Sequence, residues 1–274
     1  MIDRVLNSEA AGLHVTITGA AGFIGSHLAE WHLARGDFVH GFDDLSTGSH
    51  ENVALLSQHP RFRFHRGDIC DTPSLQGAIN DSSVVYHLAA VVGVFRVIEQ
   101  PRRTLDVNIE GTRRVLAAAA AAPRPPRVVV ASSSEVYGPS QASRLAEDDW
   151  LLFRPDRAGR WGYTVSKLTN EADALAWWNE HRLPVVIVRL FNTVGLRQSP
   201  RYGMVLPRLS AQAAQGLPMT IFGDGTQTRS FCDVKDTVEA MARLASVDTA
   251  VGEIVNVGAD REISIRGLAD LVVA

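Results

Sequence analysis

The chain has 274 residues, which is long enough for one large or two small domains with a substantial buried core. A formal net charge of −3 with 46% hydrophobic residues argues against nucleic-acid binding and is typical of a globular protein. The two cysteines and nine histidines show no metal-ligand spacing, and neither a membrane-spanning run nor a signal peptide is present, so we expect a cytoplasmic protein without a metal.

The first predicted unit is a strand, a glycine-rich turn and a helix. A β-branched run at 14–18 is followed by Gly19, Gly22 and Gly25, and an apolar helical pattern covers roughly 23–35. Such a turn lets the backbone approach a pyrophosphate, whose negative charge is favoured by the N–H groups at the helix start. We therefore predict a dinucleotide site here, which also includes Phe23 and Ile24.

The second predicted strand, at 38–42, ends at an acidic pair. A carboxylate at the position of Asp43 binds the ribose hydroxyls of adenosine and repels a 2′-phosphate, which predicts NAD rather than NADP. The alternative is an aspartate in a surface turn. Other residues expected along the adenosine are Asp44, Ser46, Thr47, Gly48, Asp68 and Ile69.

Further strands and helices alternate along the chain, with strands predicted at 62–65, 83–87, 127–131 and 184–190 and long helices at 101–122 and 161–182. This alternation predicts a doubly wound α/β fold with a parallel, Rossmann-type sheet. We expect an NAD-binding domain over 1–190 and a smaller substrate subdomain over 191–274. Its predicted elements are helices at 204–216 and 233–246, strands at 219–222 and 251–256, and a helix opening at residue 264.

A tyrosine and a lysine lie four residues apart in the helix predicted at 161–182. Tyr163 and Lys167 therefore share one helix face, where the ammonium is expected to lower the pKa of the phenol towards that of a general base. This spacing is common by chance, and a surface pair is the alternative. Because it follows a dinucleotide turn and a serine cluster at the carboxyl end of a strand, we predict a catalytic pair.

These motifs resemble the extended short-chain dehydrogenase/reductase family, in its NAD-dependent nucleotide-sugar epimerase/dehydratase branch. The resemblance covers nearly the whole chain in the order of the family. The matching stretches are T-G-A-A-G-F-I-G (18–25), H-L-A-A (87–90), N-I-E-G-T (108–112), S-S-S-E-V-Y-G (132–138), Y-T-V-S-K (163–167), R-L-F-N-T-V-G (189–195) and G-D-G-T-Q-T-R-S-F (223–231).

The resemblance implies a role for each matching residue. Tyr163 is expected to take a proton from a sugar hydroxyl while NAD accepts hydride from the same carbon, Lys167 to bind the nicotinamide ribose, and Ser133 to hydrogen-bond the reacting hydroxyl. The expected cofactor contacts are Leu88, Ala89 and Ala90, with Asn108 beneath them. The expected substrate contacts are Asn192 and Arg229 for the pyrophosphate and Val205, Leu206 and Phe222 for the nucleobase, although Arg229 also suits a surface ion pair and Phe222 an ordinary core.

Ser134 and Glu135 occupy positions that distinguish the branches of the resembled family by the reaction that follows oxidation of the sugar at C4. In the resembled family, nucleoside-diphospho-glucose dehydratases carry Asp-Glu at these positions, whereas UDP-uronate decarboxylases often carry Ser-Glu, as here. Glu135 also suits a structural capping role. Arg96 is placed where it could meet a sugar carboxylate or face solvent.

The stretch at 189–208 is similar to sequences called UDP-glucose 4-epimerase-like. We therefore expect an NAD-dependent UDP-sugar 4-epimerase that acts through a transient 4-keto intermediate. The alternatives are a UDP-glucuronate decarboxylase, a nucleotide-sugar dehydratase and, from another class, a non-catalytic NAD-binding protein.

The resemblance also implies an oligomeric state and a chain length for the protein. A homodimer is expected through a four-helix bundle of the helices at 101–122 and 161–182, burying Trp177 or Trp178. Family members usually continue for some tens of residues past the helix at 264–271, so the substrate subdomain is expected to be truncated at Ala274. No nucleic-acid or membrane partner is expected.

Overall fold

A seven-stranded parallel sheet organises the protein, which we describe from a computed structural model over residues 12–139, 144–153 and 161–273. The spatial order of its strands is β3-β2-β1-β4-β5-β6-β10. Their bounds are β1 His14–Thr18, β2 Phe38–Asp43, β3 Phe62–Arg66, β4 Val84–His87, β5 Arg127–Ser133, β6 Val185–Leu190 and β10 Ile254–Val257. The strand order reverses beside β1, which is the place where doubly wound sheets bind ligands.

Helices cover both faces of this sheet. Their bounds are α1 Phe23–Ala34, α2 His50–Ala54, α3 Thr72–Ile79, α4 Val94–Glu99, α5 Pro101–Leu105, α6 Gly111–Ala120, α7 Trp161–His181, α8 Val205–Ala214, α9 Val234–Leu244 and α10 Ile265–Val273. A π-helical turn at Asp106–Glu110 joins α5 to α6. Two short pairs complete the fold, β7 Thr193–Val194 with β9 Cys232–Asp233 and β8 Thr228–Ser230 with β11 Glu262–Ser264.

Two hydrophobic clusters hold the layers together, one on each face of the sheet. On one face, Leu28 of α1 and Met241 of α9 pack against Ile17; on the other, Leu116 of α6 packs near Val130. The central strands are buried on both faces, which explains why β5 and β6 are nearly continuous apolar runs rather than alternating ones.

The carboxyl-terminal part divides differently from the prediction. A third, smaller cluster centred on Leu209 and Leu268 forms a subdomain from α8, α10 and the β8–β11 pair. Residues 232–257 instead return to the large sheet, where they supply α9 and its seventh strand. The predicted division at residue 190 therefore needs correction, because a further helix–strand unit after β9 continues the alternation.

Most predicted elements are confirmed, with two local differences. The helix predicted at 101–122 is continuous over 101–120 and contains the π turn, and the strand predicted at 219–222 is irregular, with Met219 and Ile221 packed into the small cluster. Among the described helices, none combines the length and the apolar character needed to cross a bilayer.

Candidate active site

A cavity of about 1020 Å³ lies at the carboxyl ends of the parallel strands. This volume is at the upper end of the ~300–1,000 Å³ that small-molecule sites occupy, so it suits a large ligand. The predicted cofactor residues that line it are Gly19, Gly22, Phe23, Ile24, Gly25, Asp43, Asp44, Ser46, Thr47, Gly48, Asp68, Ile69, Leu88, Ala89, Ala90, Tyr163 and Lys167. The structure therefore brings together residues that are widely separated in the sequence.

The glycine turn is shaped by close backbone contacts. Gly19 has φ +76, and a Cβ there would lie 2.8 Å from the backbone nitrogen of Ala89. A Cβ on Gly25 would lie 2.1 Å from the carbonyl oxygen of Gly19, so α1 can begin against the turn only with glycine at this position. This leaves the start of α1 open to the cavity, as an anion-binding helix terminus requires.

Asp43 is fixed at the end of β2. Its carboxylate accepts hydrogen bonds from the backbone N–H groups of Ala21 (3.0 Å) and Leu45 (2.8 Å). Burial raises its pKa above that of an ordinary aspartate, and Asp44 adds to the effect. Together with the glycine turn, this oriented acceptor fits the pyrophosphate and adenosine ribose of NAD.

The predicted catalytic side chains meet where α7 crosses the end of β5. A hydrogen bond joins the side chains of Tyr163 and Ser133, and Ser133 Oγ also accepts from the Glu135 N–H at 3.2 Å. Lys167 Nζ donates to the carbonyl oxygen of Ala131 at 2.7 Å and lies 5.8 Å from the centre of the Tyr163 ring. Ser134 and Glu135 line the same part of the cavity.

Burial dominates the electrostatics of this pair. It raises the pKa of Tyr163, the Glu135 carboxylate raises it further, and the hydrogen bond from Ser133 opposes both. Burial also lowers the pKa of Lys167 to about 8, against the attraction of Glu171. The expectation of a Tyr163 pKa lowered towards that of a general base is therefore wrong for this structure, because desolvation of the phenol raises the pKa above its ordinary value.

Asn108 supports the cavity without lining it. In the π turn, its buried amide accepts from the Val91 N–H (2.7 Å), donates to the Val91 carbonyl (3.1 Å) and donates to Ser166 Oγ (3.1 Å). It thereby links the segment after β4 to the catalytic helix α7. Its expected role beneath the cofactor stays a prediction.

The predicted substrate residues are dispersed. Ser133 and Asn192 line the cavity, but the other five do not. The guanidinium of Arg96 lies over the ring of Tyr202 at 5.6 Å, and Arg229 donates to the Thr228 carbonyl. Val205 and Leu206 pack against the small cluster. Phe222 is exposed, and the guanidinium of Arg208 lies over its ring at 4.1 Å. Their substrate roles stay predictions, and Arg96 does not reach the cavity wall where a sugar carboxylate was expected.

The sequence reasoning missed the segment at 195–203, here called the strap. Leu196 accepts at its carbonyl from His27 (3.0 Å), Arg197 pairs with Glu30 (2.6 Å) and the Tyr202 hydroxyl donates to the Thr47 carbonyl (3.4 Å). The strap contributes Arg197, Gln198, Ser199, Arg201 and Tyr202 to the cavity wall. The only sequence feature that marks this segment is a glycine at each of its ends, Gly195 and Gly203.

The fold and site define an NAD-dependent α/β enzyme class, and comparison with known proteins agrees. The model of the NAD dependent epimerase/dehydratase family matches residues 15–258, and the chain belongs to this family. It is 39% identical over 256 residues to the UDP-N-acetyl-alpha-D-glucosaminuronate decarboxylase of Bacillus cytotoxicus, covering 92% of this chain and 77% of the relative.

Two further comparisons extend this result. UDP-glucuronic acid decarboxylase 1 of Arabidopsis thaliana is 35% identical over 260 residues, which cover 95% of this chain and 58% of that protein. A UDP-glucuronic acid 4-epimerase from Bacillus cereus, crystallised with UDP-glucuronic acid and NAD, has a TM-score of 0.85 and 33% identity over 95% of this chain and 82% of that structure. Relatives with different final products thus share this fold.

Proposed function

We propose that the protein oxidises C4 of a nucleoside-diphosphate sugar, with NAD as the hydride acceptor, and that Tyr163 is the general base. The observation that carries this proposal is the meeting of Ser133, Tyr163 and Lys167 at the wall of a cavity that also contains the glycine turn and Asp43. When bound, NAD supplies a hydride acceptor that can return the hydride later in the same turnover.

The side chains divide the work of proton removal. Tyr163 Oη is placed to accept the proton of the sugar hydroxyl, and Ser133 Oγ hydrogen-bonds this centre and orients it. Lys167, held by the Ala131 carbonyl, contributes a positive charge that favours the phenolate form of Tyr163, which is the form that can accept this proton. Because burial raises the pKa of Tyr163, the phenol must lose its own proton before it can act as the base, and the charge of Lys167 favours that loss.

Epimerisation is the outcome that we propose for the resulting 4-keto sugar. The sequence pattern at 189–208 supports it, as does the similarity to a UDP-glucuronic acid 4-epimerase. The substrate would then be a UDP-sugar. Its 4-keto form rotates in the site and is reduced at C4 from the opposite face, which inverts the configuration of that carbon. Ser134 stands where a dehydratase of the resembled family would carry an aspartate, which argues against elimination of water.

Decarboxylation of a UDP-uronic acid is the second candidate. Several decarboxylases are among the similar proteins, including those at 39% and 35% identity. The guanidinium-bearing residues Arg197 and Arg201 on the cavity wall could hold a sugar carboxylate. Oxidation at C4 would create a β-keto acid, from which CO₂ leaves as the C5–C6 bond breaks and its electrons pass to the ketone.

Product mass separates these outcomes. The protein is incubated with NAD and either UDP-glucose or UDP-glucuronate, and the products are separated by chromatography and identified by mass spectrometry. An isomer of equal mass supports epimerisation, whereas loss of the mass of CO₂ supports decarboxylation and loss of the mass of water supports dehydration. Unchanged substrates across a panel of UDP- and dTDP-sugars would favour the non-catalytic NAD-binding alternative.

A homodimer through α5, α6 and α7 is also part of the proposal. Trp178 already packs inside the protomer, since a Cβ on Gly252 would lie 2.3 Å from its Nε1. Trp177 also packs against the core, and it borders a surface cleft with Ala117 and Ala120 that a second copy would cover. Light scattering tests this directly, and a monomer at micromolar concentration would contradict it.

A further inference from the structure

A buried ion pair lies beside the catalytic residues and has no part in the mechanism above. Arg189 of β6 binds Glu171 of α7 with two parallel hydrogen bonds, Nε to Oε1 at 3.0 Å and Nη2 to Oε2 at 2.8 Å. The side chains are only 3% and 5% exposed. This bidentate geometry is the strongest form of such a pair.

Further hydrogen bonds complete the pair. Ser132 Oγ donates to Glu171 Oε1 at 2.5 Å, and Arg189 Nη1 donates to the Tyr137 hydroxyl at 2.9 Å and to the Glu147 carbonyl at 3.1 Å. Tyr137 in turn donates to Asn256 of β10 at 2.8 Å. The network thus ties α7 to three neighbouring strands and to the segment at 144–149.

Stability alone is a weak reason for such an arrangement. Removing two charges from water is costly, and replacing a buried pair with apolar residues of similar volume is often neutral or stabilising. The position of the pair offers a better explanation. Tyr163, Lys167 and Glu171 are spaced i, i+4 and i+8 along α7, so they form one face.

That face contacts consecutive residues of β5. Tyr163 is hydrogen-bonded to Ser133, Glu171 to Ser132, and Lys167 to the carbonyl of Ala131. We propose that the Glu171–Arg189 pair is a positioning device, which fixes this face of α7 on β5 and supplies the negative charge that keeps Lys167 protonated. The inference rests on the proposed function, because it assigns the pair a role through Tyr163 and Lys167.

The charges around Lys167 support this role. On its own helix, Lys167 is faced by Glu171 and Tyr163. From the sheet, His87 of β4 faces it directly, and Arg189 of β6 acts on it through Glu171. Glu135 lies near Tyr163 in the turn after β5. Burial lowers the pKa of His87 to about 3, so this side chain is neutral at pH 7.

Glu171 is the charge that raises the pKa of Lys167, whereas burial lowers it. Without the Glu171 carboxylate, both desolvation and the unpaired Arg189 would favour neutral Lys167. The ammonium would then be lost at a lower pH.

Lys167 can be titrated directly, since the sequence has only one other lysine, the exposed Lys235. Protein labelled with ¹³Cε-lysine should give two side-chain signals, with Lys235 as the internal reference. We expect the titration midpoint of Lys167 to fall by at least one pH unit in Glu171→Gln. In Glu171→Asp, which keeps the carboxylate, the midpoint should stay close to that of the wild-type protein. Asp173→Asn is the matched control on the same helix as Glu171. It breaks a more exposed 2.9 Å pair with Arg113 of α6 and should leave the titration of Lys167 unchanged.

Turnover supplies the second measurement. The alkaline limb of the kcat profile should move to lower pH by the same amount in Glu171→Gln, while KM for the sugar changes less than threefold. If Glu171→Gln does not fold, the double change Glu171→Met with Arg189→Met removes the pair without leaving one charge unpaired, and the midpoint should again fall.

The outcomes distinguish the two proposals. A Lys167 midpoint that stays in place in either folded variant overturns the positioning role, even if the wild-type protein is active. A midpoint that moves in a protein that converts no sugar supports the charge-holding role and contradicts the proposed function.

Discussion

The cofactor side and the substrate side of the site differ in how they are built. The cofactor side stands on the seven-stranded sheet, between two large hydrophobic clusters, and its wall carries the buried Tyr163 and Asp43. The proposed substrate side stands on a small cluster with three buried residues in the described part of the chain, and Phe222 beside it is 60% exposed. We infer that the chain preorganises cofactor binding and the proton transfer, whereas substrate recognition depends on a less enclosed surface.

The largest effect is expected from filling the glycine turn. Gly25→Ala places a Cβ against the Gly19 carbonyl, so α1 must shift away from the cofactor site. We predict a free energy of unfolding lower by about 1–3 kcal/mol and loss of measurable NAD binding in calorimetric titration. Gly77→Ala is the matched control, because no atom lies within 4 Å of a Cβ there, and it should be neutral or slightly stabilising. NAD affinity within threefold of wild type in Gly25→Ala would contradict a preorganised cofactor side.

An intermediate effect is expected at the adenosine end. Asp43→Asn keeps the size of the side chain but removes the charge that would bind the ribose hydroxyls. The Kd for NAD should rise by about tenfold, close to the ~1.5–3 kcal/mol of a charged hydrogen bond, and the preference for NAD over NADP should fall. An unchanged ratio of the two affinities would assign cofactor choice to other residues.

The same carboxyl predicts a pH dependence of NAD binding. Because burial raises the pKa of Asp43, protonation should weaken NAD binding at a pH above that of an ordinary aspartate. The affinity should therefore be full at neutral pH and decline as the pH falls through the raised pKa. In Asp43→Asn this decline should disappear, and its persistence would point to another group.

The smallest effect is expected on the substrate side. Phe222→Ala removes an exposed ring that stacks on Arg208, so KM for the sugar should rise about three- to tenfold, as for the ~0.5–1.5 kcal/mol of an aromatic contact. NAD affinity and kcat should be unchanged. Leu217→Ala, at another exposed apolar residue near the small subdomain, is the control and should leave KM as it is. A fall in kcat with Phe222→Ala would mean that this side takes part in the chemistry.

The same difference between the two sides explains what the sequence could predict. Asp43 and Ser133 end strands, Gly19 follows one, and Tyr163 lies in the first turn of a helix. Parallel strands bring such positions to one edge of the sheet. Local pattern therefore predicted both the elements and their meeting point. It could not give the sign of the pKa shift of Tyr163, which depends on how much of the chain buries the phenol.

Other features depended on contacts distant in the sequence. The strap has no regular periodicity, and contacts that hold it at the cavity, such as those with Glu30 and Thr47, involve residues more than 150 positions earlier. Arg96 was placed correctly after β4, but its side chain turns to Tyr202 of the strap. The Glu171–Arg189 pair joins a helix to a strand, and neither residue type alone indicates burial.

Tyr163→Phe tests the central claim most directly, because it removes the phenol oxygen and keeps the buried ring. We predict that kcat falls by about 10²–10⁴-fold, the usual range for a general base, while the NAD content of the purified protein and its affinity for NAD stay at wild-type values. Tyr202→Phe removes the other tyrosine hydroxyl of the cavity, whose partner is the Thr47 carbonyl, and should retain activity. A Tyr163→Phe protein that turns over within tenfold of wild type would contradict the account.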